Sequence, residues 1–331
     1  MSERTITLHT FSSVKGGVGK STLAITCAKL LSESKRVPVL IDCDLTGTSF
    51  ADGLRLEAPD LALNDGALDL TTAKPTTAYF TVDETRRRRA ERRNKGSEGR
   101  TLPPPYFNDV LKAVDVTNEP VQVSAALWRH ERVDGVAYLP SSSIQRDVAE
   151  SLHWYDKREP YDWAQCVFLA IDDLVSQRED LTDVVLDLPP GTWGFSHEAV
   201  VFASMIDRRQ PFPEGFPEWH NSPIGWRANP FLVTSADGND LLPALEYIGR
   251  NQRENIPSLR PLANRVTEGI DVVRARARNL LGPTFAAVGL EQKLEPVPEV
   301  RVLGRIFKEG DADFSGEVQA LKAVLRIEEK R

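Results

Sequence analysis

The chain has 331 residues, 41% of them hydrophobic and 27% charged, with a formal net charge of −7. That make-up belongs to a folded globular protein with a sizeable core and excludes a disordered chain. No run approaches the roughly 20 apolar residues of a membrane-spanning helix, and the opening residues carry no apolar leader. The three cysteines, Cys27, Cys43 and Cys166, lie far apart with no Cys-x-x-Cys pair. They argue against a disulfide framework or a cysteine-built zinc site, and for a cytoplasmic setting.

In chain order, Ile6–Phe11 is predicted as a first strand, followed by a glycine-rich turn. A helix is expected over Ser21–Ser34, where Leu23, Ala24, Cys27, Ala28, Leu30 and Leu31 recur at helical spacing. Val37–Ile41 reads as a strand ending at Asp42, with a short helix at Thr48–Leu54. Val133–Leu139 is a further strand, Tyr161–Gln177 a helix, and Val184–Leu188 a strand. Phe231–Thr234 and Leu259–Ala263 read as strands separated by a helix near Asp240–Gln252. Phe285–Val288 and Val302–Ile306 are weaker strands, and Ser315–Glu329 closes the chain as a helix.

Apolar strands alternating with helices imply an α/β domain: a mostly parallel, doubly wound sheet with helices on both faces. Two stretches interrupt the rhythm, about 71–130 and 207–230. The first holds an arginine run and Pro103–Pro105; the second is rich in proline and aromatics. Both read as insertions decorating a single domain.

The strongest motif is Lys15-Gly16-Gly17-Val18-Gly19-Lys20-Ser21-Thr22, between a predicted strand and a predicted helix. Glycines let backbone N–H groups turn toward phosphate oxygens, and the helix N-terminus adds positive potential. Lys20 is expected to bridge the terminal phosphates, and the Ser21 hydroxyl to bind Mg²⁺. Two strand ends carry carboxylates: Asp42 and Asp44 after the second strand, and Asp187 in Asp187-Leu188-Pro189-Pro190-Gly191. In open α/β sheets such ends line the ligand crevice. A bland alternative for the first pair is capping of the helix that follows.

Val14 stands where the standard phosphate loop has its first glycine, and Lys15 follows it. This segment resembles the deviant Walker A motif of the ParA/MinD ATPases. The resemblance covers 5–57, 133–206 and 229–328. It implies ATP with Mg²⁺ as cofactors and an ATP-dependent homodimer in which Lys15 reaches the partner's phosphates. It further implies that Asp44 positions the attacking water, that Asp42 and Asp187 lie near Mg²⁺, and that the Gly191 N–H meets the γ-phosphate. Asn264, in Pro261-Leu262-Ala263-Asn264-Arg265, falls where the family reads the purine edge; a helix N-cap is the alternative. Arg305 and Phe307 lie in a segment resembling the family's late loop beside the base.

Three jobs fit such a loop. One is a dimerising switch ATPase that positions or recruits a protein partner, cargo, DNA or a membrane-associated complex, with recruitment to nucleoid or membrane. The second is a phosphotransferase or ligase acting on a small substrate. The third, an Mrp-like metal-cluster carrier, wants paired cysteines late in the chain, and none follows Cys166. The six arginines of Arg86–Arg93 suit DNA or another anionic surface, or simply a solvated segment. The apolar stripe of the last helix (Val318, Leu321, Val324, Leu325, Ile327) reads as packing on the domain rather than membrane contact.

Overall fold

The structure is a computed structural model that describes residues 4–45, 50–61, 69–81, 83, 84, 87, 105–117, 119–132, 134–192, 194–251, 256, 258–287, 289–301, 303, 306 and 316–328. Ten strands are described: β1 (Thr5–Ser13), β2 (Pro38–Asp42), β3 (Leu56–Pro59), β4 (Tyr79–Thr81), β5 (Trp128–His130), β6 (Ala137–Leu139), β7 (Asp183–Asp187), β8 (Gly225–Ser235), β9 (Arg260–Val266) and β10 (Glu295–Pro298). The longer helices are α1 (Lys20–Glu33), α2 (Phe107–Val116), α3 (Gln145–Lys157), α4 (Pro160–Gln177), α5 (Phe195–Asp207), α6 (Gly238–Asn251) and α7 (Ile270–Leu281). Short helices α8 (Pro283–Ala287), α9 (Leu290–Lys293) and α10 (Leu321–Val324) follow.

The strands form one sheet in the order β10-β9-β8-β1-β7-β2-β6-β5-β3-β4. From β10 to β6 every pair is parallel; β5, β3 and β4 add an antiparallel margin. Successive residues of the central strands bury into different halves of the core. Val184 and Leu186 of β7 pack into one cluster with α4 and α5, while Val185 packs into another with α1. In β2, Val39 and Ile41 face the first cluster and Leu40 the second. This explains why the strands read as continuous apolar runs: both faces are covered by helices.

Several expectations are corrected. Phe285 and the residues beside it form α8, not a strand, with Phe285 buried. In place of a strand at Val302–Ile306, the described Arg301 and Leu303 lie in a 3₁₀ turn and Ile306 is helical. The closing helix is reduced to a 3₁₀ turn at Gly316–Val318 and the short α10. Val318, Leu321, Leu325 and Ile327 are buried in the α1 cluster, so that stripe is core. The helix expected at Thr48–Leu54 is a 3₁₀ turn, Phe50–Asp52.

The stretches expected to decorate the domain contribute to its sheet and core. Residues 71–130 supply β4, α2 and β5, with Phe107, Val110 and Trp128 buried and the Trp128 indole donating to Pro105 O at 2.9 Å. Within 207–230, β8 begins at Gly225, and Phe212, Phe216 and Trp219 pack around Phe168 of α4. Val133, Trp193, Arg305, Phe307 and all of Arg86–Arg93 except Arg87 lie outside the described residues.

Candidate nucleotide site

Because β1, β2, β7, β8 and β9 run in parallel, their C-terminal ends meet at one edge. There β1 runs through Val14–Gly19 into α1, whose first turn has no acidic residue to offset its positive end. Gly17 and Gly19 have φ of 80° and 89°, the left-handed region that favours glycine. A Cβ on Gly19 would overlap the Asn264 amide. Chain conformation therefore accounts for glycine at 17, and conformation together with the close approach of Asn264 accounts for it at 19.

The two carboxylate-bearing strand ends are direct neighbours: Asp42 of β2 is in register with Asp187 of β7. Lys20, at the start of α1, forms an ion pair with Asp187, and both side chains are buried. Ser21 Oγ lies 3.4 Å from Lys20 Nζ. Asp42 accepts hydrogen bonds from Asp44 N (3.2 Å), Phe50 N (3.3 Å) and Ser141 Oγ (2.7 Å). Burial, and then the Asp187 carboxylate, push the Asp42 carboxyl up to about 7, opposed by the Ser141 hydrogen bond and Lys20. Asp44 is partly exposed beside this pair. Asp42 caps the following turn through Phe50 N.

The other candidates divide. Val18 is buried, and Ser21 and Thr22 are half-buried in the first turn of α1. Asn264 lies within β9, not at a helix N-cap, and donates to Val18 O at 2.8 Å, tying the strand end to the loop. Beside it a cavity of about 320 Å³ is lined by Thr22, Asn264, Arg265, Glu299, Val300 and Leu303. Gly191 has φ 105°, and its N–H donates to Ser13 O at 2.8 Å. Lys15 stands outside the loop with 46% of its side chain exposed, against 8% for Lys20. It donates to Asn239 O at 2.7 Å and pairs with Asp240 Oδ1 at 3.2 Å.

Ser141, Asn239 and Asp240 were not identified from the sequence. Asn239 and Asp240 follow the C-terminal end of the long parallel strand β8, so the rule that found Asp42 and Asp187 would have reached them, whereas Ser141 follows the three-residue β6. Among the described residues no group of three or more His, Cys, Asp or Glu side chains is placed to hold a metal ion. Mg²⁺ keeps waters and substrate phosphate oxygens and takes few protein ligands, and the Ser21 hydroxyl and Asp187 are residues that could hold it.

The family model of the CobQ/CobB/MinD/ParA nucleotide-binding domain, CbiA, matches residues 9–326. Similar solved structures include the cell-division ATPase MinD of Pyrococcus furiosus, at 17% identity and TM-score 0.50 over 98% of this chain and 96% of that one. MinD of Pyrococcus horikoshii complexed with Mg-ADP matches at 14% identity and TM-score 0.50, over 97% and 94%. An ATP complex of a McdA variant from Cyanothece matches at 13% and 0.52 over the whole of both chains. No curated protein matches. At these identities the structures speak for the fold, and the family match carries the assignment: the chain belongs to the CobQ/CobB/MinD/ParA family of nucleotide-binding domains.

Proposed function

We propose that the chain is a ParA/MinD-like ATPase that binds and hydrolyses Mg-ATP and dimerises in the ATP state, acting as a switch that recruits or positions a partner. The observation that carries this reading is the division of labour between two lysines on one loop. Lys20 is buried against Asp187, where it can meet the terminal phosphates as they displace the carboxylate. Lys15 points outside the loop and is half exposed, available to a second nucleotide site facing it. A cation supplied in trans accelerates phosphoryl transfer by about 10³–10⁵ where it has been characterised as an arginine finger.

In this reading the N–H groups of Gly16–Thr22 cradle the phosphates, and Gly191 adds an N–H once released from Ser13. The Ser21 hydroxyl and Asp187, with Asp42 behind them, would hold Mg²⁺, which would supply charge neutralisation for the phosphates. Asp44 orients the attacking water. Asn264 and the cavity beside it take the base.

Light scattering with ATP and Mg²⁺, and with ADP, tests the proposal. ATP should shift the protein from monomer to dimer, and ADP should not. Asp44→Ala should bind ATP, hydrolyse it far more slowly and accumulate as dimer. Lys20→Ala should lose nucleotide binding while remaining folded. A chain that stays monomeric with ATP in the Asp44→Ala background would reject the switch and favour the phosphotransferase or ligase reading.

A further inference from the structure

The sheet edge opposite the nucleotide site holds a second concavity. Two cavities of about 340 and 360 Å³ lie side by side there and share Ile206, Arg209, Trp226 and Arg227 as their common wall. They sit where β1 and β8 begin and where α5 ends. Volumes of this size accommodate a small organic molecule.

The common wall is cationic and aromatic. Among the described residues, neither the Arg209 nor the Arg227 guanidinium has a hydrogen bond or an ion pair, and both residues are exposed. Arg36 and Arg326 also line the second cavity, where the acidic lining residues among those described are Asp207 and Glu328. Arg36 is already committed to Asp183. The basic concentration stands out in a chain whose net charge is −7.

Arg209 is held there in an unusual way. Its φ is 51°, a conformation that disfavours side chains. The end of α5 is closed by backbone alone, with Arg209 N on Ile206 O at 3.0 Å and Gln210 N on Met205 O at 2.9 Å. A glycine would serve that turn, so the guanidinium is not explained by the helix end.

Trp226 supplies the flat element. Its ring stacks on Trp219 at 3.7 Å and 7°, which fixes its orientation. Its buried indole N–H has no acceptor among the described residues. Phe212 and His220 complete the first cavity.

We propose that this trough binds a small aromatic anion, a flat ring carrying a phosphate or carboxylate. The ring would lie along the Trp226 wall, and the anion between Arg209 and Arg227, whose planar forks match both oxyanions. The inference does not depend on the switch reading, because the trough lies where β1 begins and the phosphate loop follows where β1 ends.

Tryptophan fluorescence titrations with uridine monophosphate, phenyl phosphate and benzoate test it on the full chain. At least one aromatic anion should quench saturably, with inorganic phosphate and uncharged uridine at least about tenfold weaker. Preference between the phosphates and benzoate identifies the anion. The Arg209→Gln and Arg227→Gln variants, which keep polar side chains at exposed positions, should each weaken binding severalfold and together at least about tenfold. Their thermal unfolding and ATP affinity should match the parent. Lys20→Ala should leave the aromatic anion's affinity unchanged. Absence of saturable quenching by all three probes at millimolar concentration overturns the proposal. So does binding insensitive to both arginines, or binding abolished by Lys20→Ala, which would place it in the phosphate loop.

Discussion

Asp42 shows how a buried carboxylate makes this site sensitive to pH before any nucleotide arrives. Its pKa is raised from an ordinary 3.8 to about 7, by burial first and Asp187 second. The folded ligand-free protein therefore holds a proton there that the unfolded chain has already released over that range. A raised folded pKa contributes stability that is fully present below the unfolded value and is lost as pH rises through the folded one. The contribution should fall between about pH 4 and 7 and be gone above. Asp42→Asn carries no titrating proton and keeps an oxygen to accept from Ser141 or Phe50. In denaturant unfolding at a series of pH values, it should gain on the parent protein steadily across that interval. A difference between the two proteins that does not vary with pH would mean that Asp42 is ionised throughout. At this scale the sequence was informative because Asp42, Asp187 and the loop sit at strand ends, where one rule finds them. Ser141 was hidden because a serine after a three-residue strand carries no comparable signal; only the fold brings it to Asp42.

At the scale of elements, the long parallel strands were legible and the short antiparallel ones were not. A three-residue strand such as β4 or β5 has no room to show a period. Much of its stabilisation comes from partners far along the chain: Arg129 of β5 donates to Glu57 of β3 at 2.8 Å and lies over the Tyr79 ring of β4. The start of β8 was hidden for a different reason. Pro230 sits inside that central strand opposite Thr10, a place where proline is normally excluded, so the strand was expected to begin only at Phe231. The beginnings of the central strands are joined by Asp183, which is fully buried. It accepts from Arg36 Nε at 2.6 Å and Thr182 Oγ1 at 2.7 Å and pairs with His9 Nε2 at 2.9 Å. Asp183→Ala would leave the buried His9 Nε2 without its partner and Arg36 Nε without its acceptor, with the Thr7 hydroxyl at 3.2 Å still accepting from the guanidinium. The expected loss, read from urea unfolding, is about 3–5 kcal/mol. The phosphate-loop edge lies at the far end of the same strands, so nucleotide affinity of the protein that remains folded should be nearly unchanged. A loss under about 1 kcal/mol would show that water replaces the carboxylate readily.

For the whole molecule, the proposed switch turns on an equilibrium between one chain and two, and one contact within the chain would weigh on it. Lys15 is the side chain proposed to cross to a partner, yet within one chain it is held by Asn239 O and Asp240 at the start of α6. Crossing requires that contact to break. The Ser235 hydroxyl, and then Lys15, hold the Asp240 carboxyl below its usual range, so it remains charged at every pH near neutrality. The pair is partly exposed, and ion pairs of that kind are worth about 0.2–1 kcal/mol. Two such contacts break for each dimer formed, so Asp240→Asn should strengthen ATP-dependent dimerisation by a factor of about 2 to 30, measured in the Asp44→Ala background to hold turnover still. Added salt should shrink the gain, since it screens the exposed pair in the parent protein. Lys15→Ala should act in the opposite direction, weakening the dimer, and adding Asp240→Asn to it should change nothing further, because the contact is already gone. If Asp240→Asn strengthens the dimer equally with Lys15 present or absent, Asp240 acts at the interface itself and not by holding Lys15.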